Sequence, residues 1–87
     1  MRKTFKPNTE VLSRIAEAFG RNSSLKKTQL HLATRVRWDS FVNYLEWLTV
    51  NDYVRYSTVD GETYVLTDSG REMFEKLLKF VQEIKSD

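Results

Sequence analysis

The sequence predicts an α+β fold, mostly helical, in the order α-α-α-β-β-α with a long final helix. Three observations carry this. Two runs rich in Tyr and Val, about Tyr53 to Ser57 and Glu62 to Leu66, flank a turn around Val59-Asp60-Gly61, a strong short-range hairpin signal. Before them, apolar residues recur at helical spacing. After them, Thr67 and Asp68 open an apolar-periodic stretch that runs to Lys85.

Each element has its own local reason. Asn8 or Thr9 can cap a first helix, with Glu10 in the first turn where the helix dipole favours an anion. Val11, Leu12, Ile15, Ala16 and Phe19 form its apolar face, and Gly20 stands where a left-handed C-cap is expected. This helix is expected over about Thr9 to Phe19. Ser23 or Ser24 is expected to cap a short second helix, about Leu25 to Ala33, in which Lys26, Lys27 and Gln29 point outward. Thr34 to Arg37 interrupts the pattern briefly, as the turn of a helix-turn-helix does.

A third helix is expected from Trp38 to Val50. Phe41, Leu45 and Leu48 cluster on one side, and Asp39, Ser40, Asn43, Glu46, Trp47 and Val50 lie opposite. Asn51-Asp52 ends it, because both residue types tolerate left-handed backbone. Thr67 is the expected N-cap of the last helix, Asp68 to Lys85. There Phe74, Leu77, Val81 and Ile84 fall at 3-4-3 spacing, a heptad seam of the kind that joins two copies. Met73, Leu78 and Phe80 widen that stripe.

At 87 residues the chain is expected to make one domain: a basic arm (1–8), a winged core (9–66) and the final helix (67–87). It has no cysteine, which removes disulfides and thiolate zinc sites and fits a cytoplasmic protein. No apolar run is long enough to span a membrane, and no secretory signal opens the chain. The net charge of +2 is unevenly placed. Met1 to Arg37 carries nine Lys/Arg against two Glu, whereas Trp38 to Asp87 carries five against ten Asp/Glu. That asymmetry points to a polyanion partner for the first part, or to pairing between the two parts in different copies.

The element order is that of a winged helix-turn-helix, in which the third helix enters the major groove of duplex DNA. On that geometry Lys26, Lys27, Arg35 and Arg37 approach phosphates, which positions a protein without reading sequence. Ser40 and Asn43 meet base edges, Asn suiting adenine. Trp38 either stacks on the sugar-phosphate backbone or packs internally. Asp39 serves the helix dipole. The wing is acidic at its tip (Asp60, Glu62), with Arg55 its one basic residue, so it is a weak DNA signal. The arm residues Arg2, Lys3 and Lys6 either reach a minor groove or are simply a frayed end.

No catalytic constellation appears. His31 has no neighbouring carboxylate in sequence, and no phosphate loop, metal-ligand pair or nucleophile elbow is present. No enzyme activity, cofactor or metal is expected.

Trp38-Asp39-Ser40-Phe41-Val42-Asn43-Tyr44-Leu45-Glu46-Trp47-Leu48 and Tyr64-Val65-Leu66-Thr67-Asp68-Ser69-Gly70-Arg71-Glu72 resemble the small archaeal-type winged helix-turn-helix proteins, regarded as DNA-binding transcriptional regulators. The likeness covers about Val11 to Val81. It implies double-stranded DNA as partner and a homodimer formed through the last helix. Two positions depart from the pattern: Arg37 replaces a small capping residue, and Asp52 replaces glycine at the exit of the third helix. The rival expectation is a winged-helix protein-interaction module without DNA binding, supported by the acidic wing and by an outward-facing Trp47 and Val50.

Overall fold

The computed structural model describes residues 5–59 and 61–85. The element order is α1 (Thr9–Arg21), β1 (Ser24–Leu25), α2 (Lys27–Thr34), α3 (Trp38–Val50), β2 (Val54–Ser57), β3 (Thr63–Leu66) and α4 (Asp68–Lys85). The expected α+β architecture, mostly helical with a long last helix, is therefore present, with one added strand. The three strands form an antiparallel sheet in the order β1-β3-β2. Val54 pairs with Leu66 and Ser57 with Thr63 across the hairpin, while Ser24 pairs with Val65 and Leu25 with Tyr64. The wing is thus tied at its root to the link between α1 and α2.

One core gathers the helices around this sheet. Ile15 of α1, Leu30 of α2, Phe41 and Leu48 of α3 and Val54 of β2 are almost wholly shielded from solvent, and Phe74 of α4 joins them. Burial of such side chains stabilises by about 1.5–3 kcal/mol each, before the entropy of ordering them is subtracted.

Asn8 is the N-cap of α1: its Oδ1 accepts from the N–H groups of Glu10 (2.7 Å) and Val11 (3.3 Å). Its own N–H donates to the Tyr44 hydroxyl at 2.8 Å, and Phe5 packs edge-on to the Tyr44 ring, so the chain entering α1 is pinned to α3. Gly20 does not end this helix. It continues to Arg21, and the Asn22 N–H closes on the Ala18 carbonyl from an extended conformation. Extended backbone leads directly into β1, so a left-handed reversal has no place there.

Nor does Ser23 or Ser24 cap α2, because Ser24 belongs to β1. Lys26 holds the N-cap position, and its backbone N–H donates to the Gln29 side chain at 2.8 Å.

The exit of α3 is a Schellman closure. The Tyr53 N–H donates to the Leu48 carbonyl (2.8 Å) and the Asp52 N–H to the Thr49 carbonyl (3.0 Å), with Asp52 in left-handed backbone at φ 59°. Tyr53 then receives α4. Its carbonyl accepts the Thr67 N–H at 3.1 Å, and a Cβ on Gly70 would stand 1.9 Å from that oxygen. Only glycine lets the first turn of α4 approach so closely. Thr67 caps α4 as expected: its hydroxyl accepts from the Gly70 N–H at 3.0 Å and donates to the Asp52 carbonyl.

Phe74 is a correction to the seam read from the sequence. It is 3% exposed and belongs to this chain's own core, so it offers no area to a second copy. Leu77 is half-buried against that core, whereas Ile84 is exposed. The expectations that involve Arg2, Lys3 and Asp60 lie outside the described residues.

Candidate nucleic-acid interface

The turn between α2 and α3 is organised by three groups. His31 Nε2 lies 2.9 Å from the Val36 carbonyl. A carbonyl only accepts, so Nε2 carries the proton in this contact. The imidazole stands edge-on to Trp38 with centroids 5.0 Å apart, and 5.2 Å from the ring of Phe41. Thr34 is fully buried, and its hydroxyl donates to the His31 carbonyl at 2.7 Å. Arg14, reaching across from α1, donates to the Thr34 carbonyl at 2.9 Å and to Glu10 at 3.0 Å. The C-terminal carbonyls of α2, orphaned by geometry, thus find donors. Arg35 then turns the chain in left-handed backbone, φ 59° and ψ 28°.

This arrangement decides which predicted residues meet. The Lys27 ammonium sits 5.4 Å from the centroid of the Trp38 ring, a cation–π contact that joins the start of α2 to the start of α3. Trp38 is half-packed: it touches His31 and Phe41 yet keeps 46% of its surface exposed. Arg37 precedes it as the N-cap of α3, with its Nε 3.9 Å from Asp39 Oδ1. Both side chains are well exposed and the pair is long, so Arg37 remains available to another anion. Asp39 Oδ1 also accepts from the Ser40 N–H at 3.0 Å, in keeping with a helix-dipole role. Ser40 and Asn43 are exposed on α3, and Lys26 is exposed beside Lys27.

Arg35 is exposed in the turn. It lines an open groove of about 360 Å³ between α1 and α2, together with Glu10, Arg14, Glu17, Arg21 and Leu32. Trp47 is likewise not an exposed aromatic. It is half-buried, 5.4 Å from the Tyr53 ring, and fills the space beneath the base of the wing. On the wing, Tyr56 packs on Tyr64 at 5.3 Å. Partial burial, a hydrogen bond to Glu62 and the charge of that carboxylate raise the Tyr56 phenol above its ordinary value of 10.0.

Two residues shape the site in ways not read from the sequence: Arg14 was passed over, and His31 was weighed only as a catalytic group. Arg14 had a signal, its i,i+4 spacing from Glu10 on α1. His31 had none, because its partners Val36 and Trp38 come close only after the chain turns.

A profile of the winged helix-turn-helix family matches residues 7–85. The chain belongs to this family. An uncharacterized protein of Methanocaldococcus jannaschii is 34% identical over 67 residues, which are 77% of this chain but 30% of that one. The chain therefore spans less than a third of that relative. Among solved structures, a winged-helix DNA-binding protein from STIV superposes with a TM-score of 0.78 at 22% identity, covering 93% of this chain and 97% of the other. A MarR family transcriptional regulator from Silicibacter pomeroyi gives a TM-score of 0.69 at 16% identity, covering 85% of this chain and 54% of the regulator. These likenesses show the fold. Among the described residues there is no His, Asp or Glu group arranged to hold a metal ion, and no helix is long and apolar enough to cross a membrane.

Proposed function

We propose that this winged helix-turn-helix protein binds double-stranded DNA as a cytoplasmic transcriptional regulator, with α3 entering the major groove. The observation that carries the reading is the contact between Lys27 and Trp38, which brings the start of α2 to the start of α3, where Arg37 is the N-cap residue. Lys26, Lys27 and Arg37 hold phosphates there, and Ser40 and Asn43 face base edges. The Trp38 ring supports Lys27 and presents its exposed part to the backbone sugar. Arg35 is left out of the phosphate set, because it lines the groove beside α1 that also holds Arg14, Arg21, Glu10 and Glu17. The STIV protein's description as DNA-binding supports the same reading.

Salt dependence tests it. Three phosphates neutralised per protomer predict a slope of log affinity on log salt of about −2.7 for each bound protomer, and each of Lys26→Ala, Lys27→Ala and Arg37→Ala reduces its magnitude by about 0.9 per protomer. No binding of a short duplex at low salt sinks the proposal.

A homodimer through α4 is part of this reading. Phe80 is 56% and Ile84 62% exposed on the last two turns, with Val81 between them, so the C-terminal end of the helix carries an uncovered apolar stripe. Leu77 continues it toward the core.

A protein-interaction role without DNA binding keeps one specific support. The outward side of α3 carries Asp39, Glu46 and an exposed Val50, and its thirteen residues include no Lys or Arg.

A further inference from the structure

The groove-facing side of α3 has an unusual chemistry for a DNA-reading helix, and it bears on which bases it accepts. At 100° per residue Asp39, Asn43, Glu46 and Val50 form the stripe directly opposite the buried Phe41, Tyr44, Leu45 and Leu48, and Val42 flanks it. All five outward residues are exposed, Val42 at 40% and Val50 at 72%. Guanine presents two acceptors, N7 and O6, in the major groove, and its commonest partner is a bidentate Arg or Lys. The helix from Trp38 to Val50 has no such cation. Its carboxylates do not pair with guanine, and because they can accept from the cytosine amino group they carry no preference between A·T and G·C.

The same stripe suits an A·T pair. Asn43 carries both a donor for adenine N7 and an acceptor for adenine N6. The Val42 side chain is an apolar partner for the thymine 5-methyl, one residue along the helix. Asp39 is already engaged with the Ser40 N–H and lies near Arg37, which ties it to the helix end. Lys27 and Arg37 remain for the phosphates.

From this the geometry points to A·T-directed base reading at the position Asn43 faces, with Asn43 and Val42 as the specificity-determining residues. The inference rests on duplex binding as proposed above. Specificity there is the difference between the contacts that adenine and thymine gain and the lack of a cationic partner for guanine.

The test is selection of duplexes from a random pool with the full chain, followed by binding measurements on a selected duplex carrying base analogues. 7-Deazaadenine removes the N7 acceptor, and at one position it is expected to weaken binding about tenfold. In Asn43→Ala the same analogue is expected to cause no further loss. Uracil in place of thymine removes the methyl and is expected to cost about fourfold, a loss absent in Val42→Ala. 7-Deazaguanine is expected to leave affinity within about twofold, since no bidentate pair is lost. A tenfold loss with 7-deazaguanine overturns the proposal, as does an undiminished 7-deazaadenine effect in Asn43→Ala. Pool binding that is indifferent to composition overturns the base preference and leaves duplex binding standing. Failure to retain any duplex overturns both.

Discussion

At the residue scale, two side chains occupy left-handed backbone where glycine is the easier residue: Arg35 and Asp52, both at φ 59°. Asp52 closes the Schellman turn at the end of α3, and its carboxylate is only 3.8 Å from an exposed Arg55. Asp52→Gly is therefore expected to raise stability by about 0.5–1 kcal/mol in urea unfolding. Arg35→Gly is expected to gain a similar amount while leaving the salt slope of duplex binding unchanged, because Arg35 faces the α1–α2 groove. A slope shallower by about 0.9 per protomer returns Arg35 to the phosphate set. Gly70 has the opposite sensitivity. Gly70→Ala drives a Cβ into the Tyr53 carbonyl and is expected to cost about 3 kcal/mol. An unchanged melting temperature contradicts the close approach of α4 to the wing base. Tyr56 adds a pH dependence. Its phenol titrates above 10.0 in the folded chain, so its contribution is complete below that value and is lost as pH rises through the folded value. Tyr56→Phe should flatten the fall in melting temperature above pH 10, and an unaltered fall contradicts the Glu62 contact.

At the element scale, the sequence was most legible where one physical signal acted alone. The whole of α3 and α4 could be bounded because Arg37 and Asn51 bracket one apolar period and Thr67 supplies a cap hydroxyl. Strand β1 was not legible. Two residues show no alternation, and Ser24 has the appearance of a cap until Val65 is brought opposite it. Gly20 misled for a related reason: a glycine near a helix end reads as a stop, but its Cβ position is open space and the helix passes through it. The α4 seam mixed two faces. Heptad spacing put Phe74 in line with Ile84, yet the first turns of α4 lie against the core and the last turns do not. Val81→Asp with Ile84→Lys is expected to leave the fold intact and to halve the mass in sedimentation. A mass that matches the unaltered chain removes this stripe from any dimer contact.

At the scale of the whole molecule, the charge asymmetry divides the work between two ends of the fold. The basic first part supplies Lys26, Lys27 and Arg37 beside the start of α3, while the acidic second part forms the wing and the outer face of α4. The hairpin that makes the fold recognisable in the sequence is, on this account, mainly a scaffold. It roots α4 at Tyr53 and ties the α1–α2 link to the sheet through β1. Of the candidate interface, the residue types were readable in the sequence but their grouping was not. Whether Lys27 meets Trp38 depends on how the α2–α3 turn runs, and His31, Thr34 and Arg14 fix that only once folded.

The most direct test of the central claim is an NMR titration of the full chain with a short duplex at low salt, following backbone amides. The largest shifts are expected at Lys27, Trp38, Ser40 and Asn43, with Arg35 and the last turn of α4 little changed. Shifts confined to the wing around Val59 and Gly61, or no shifts at all, would contradict it.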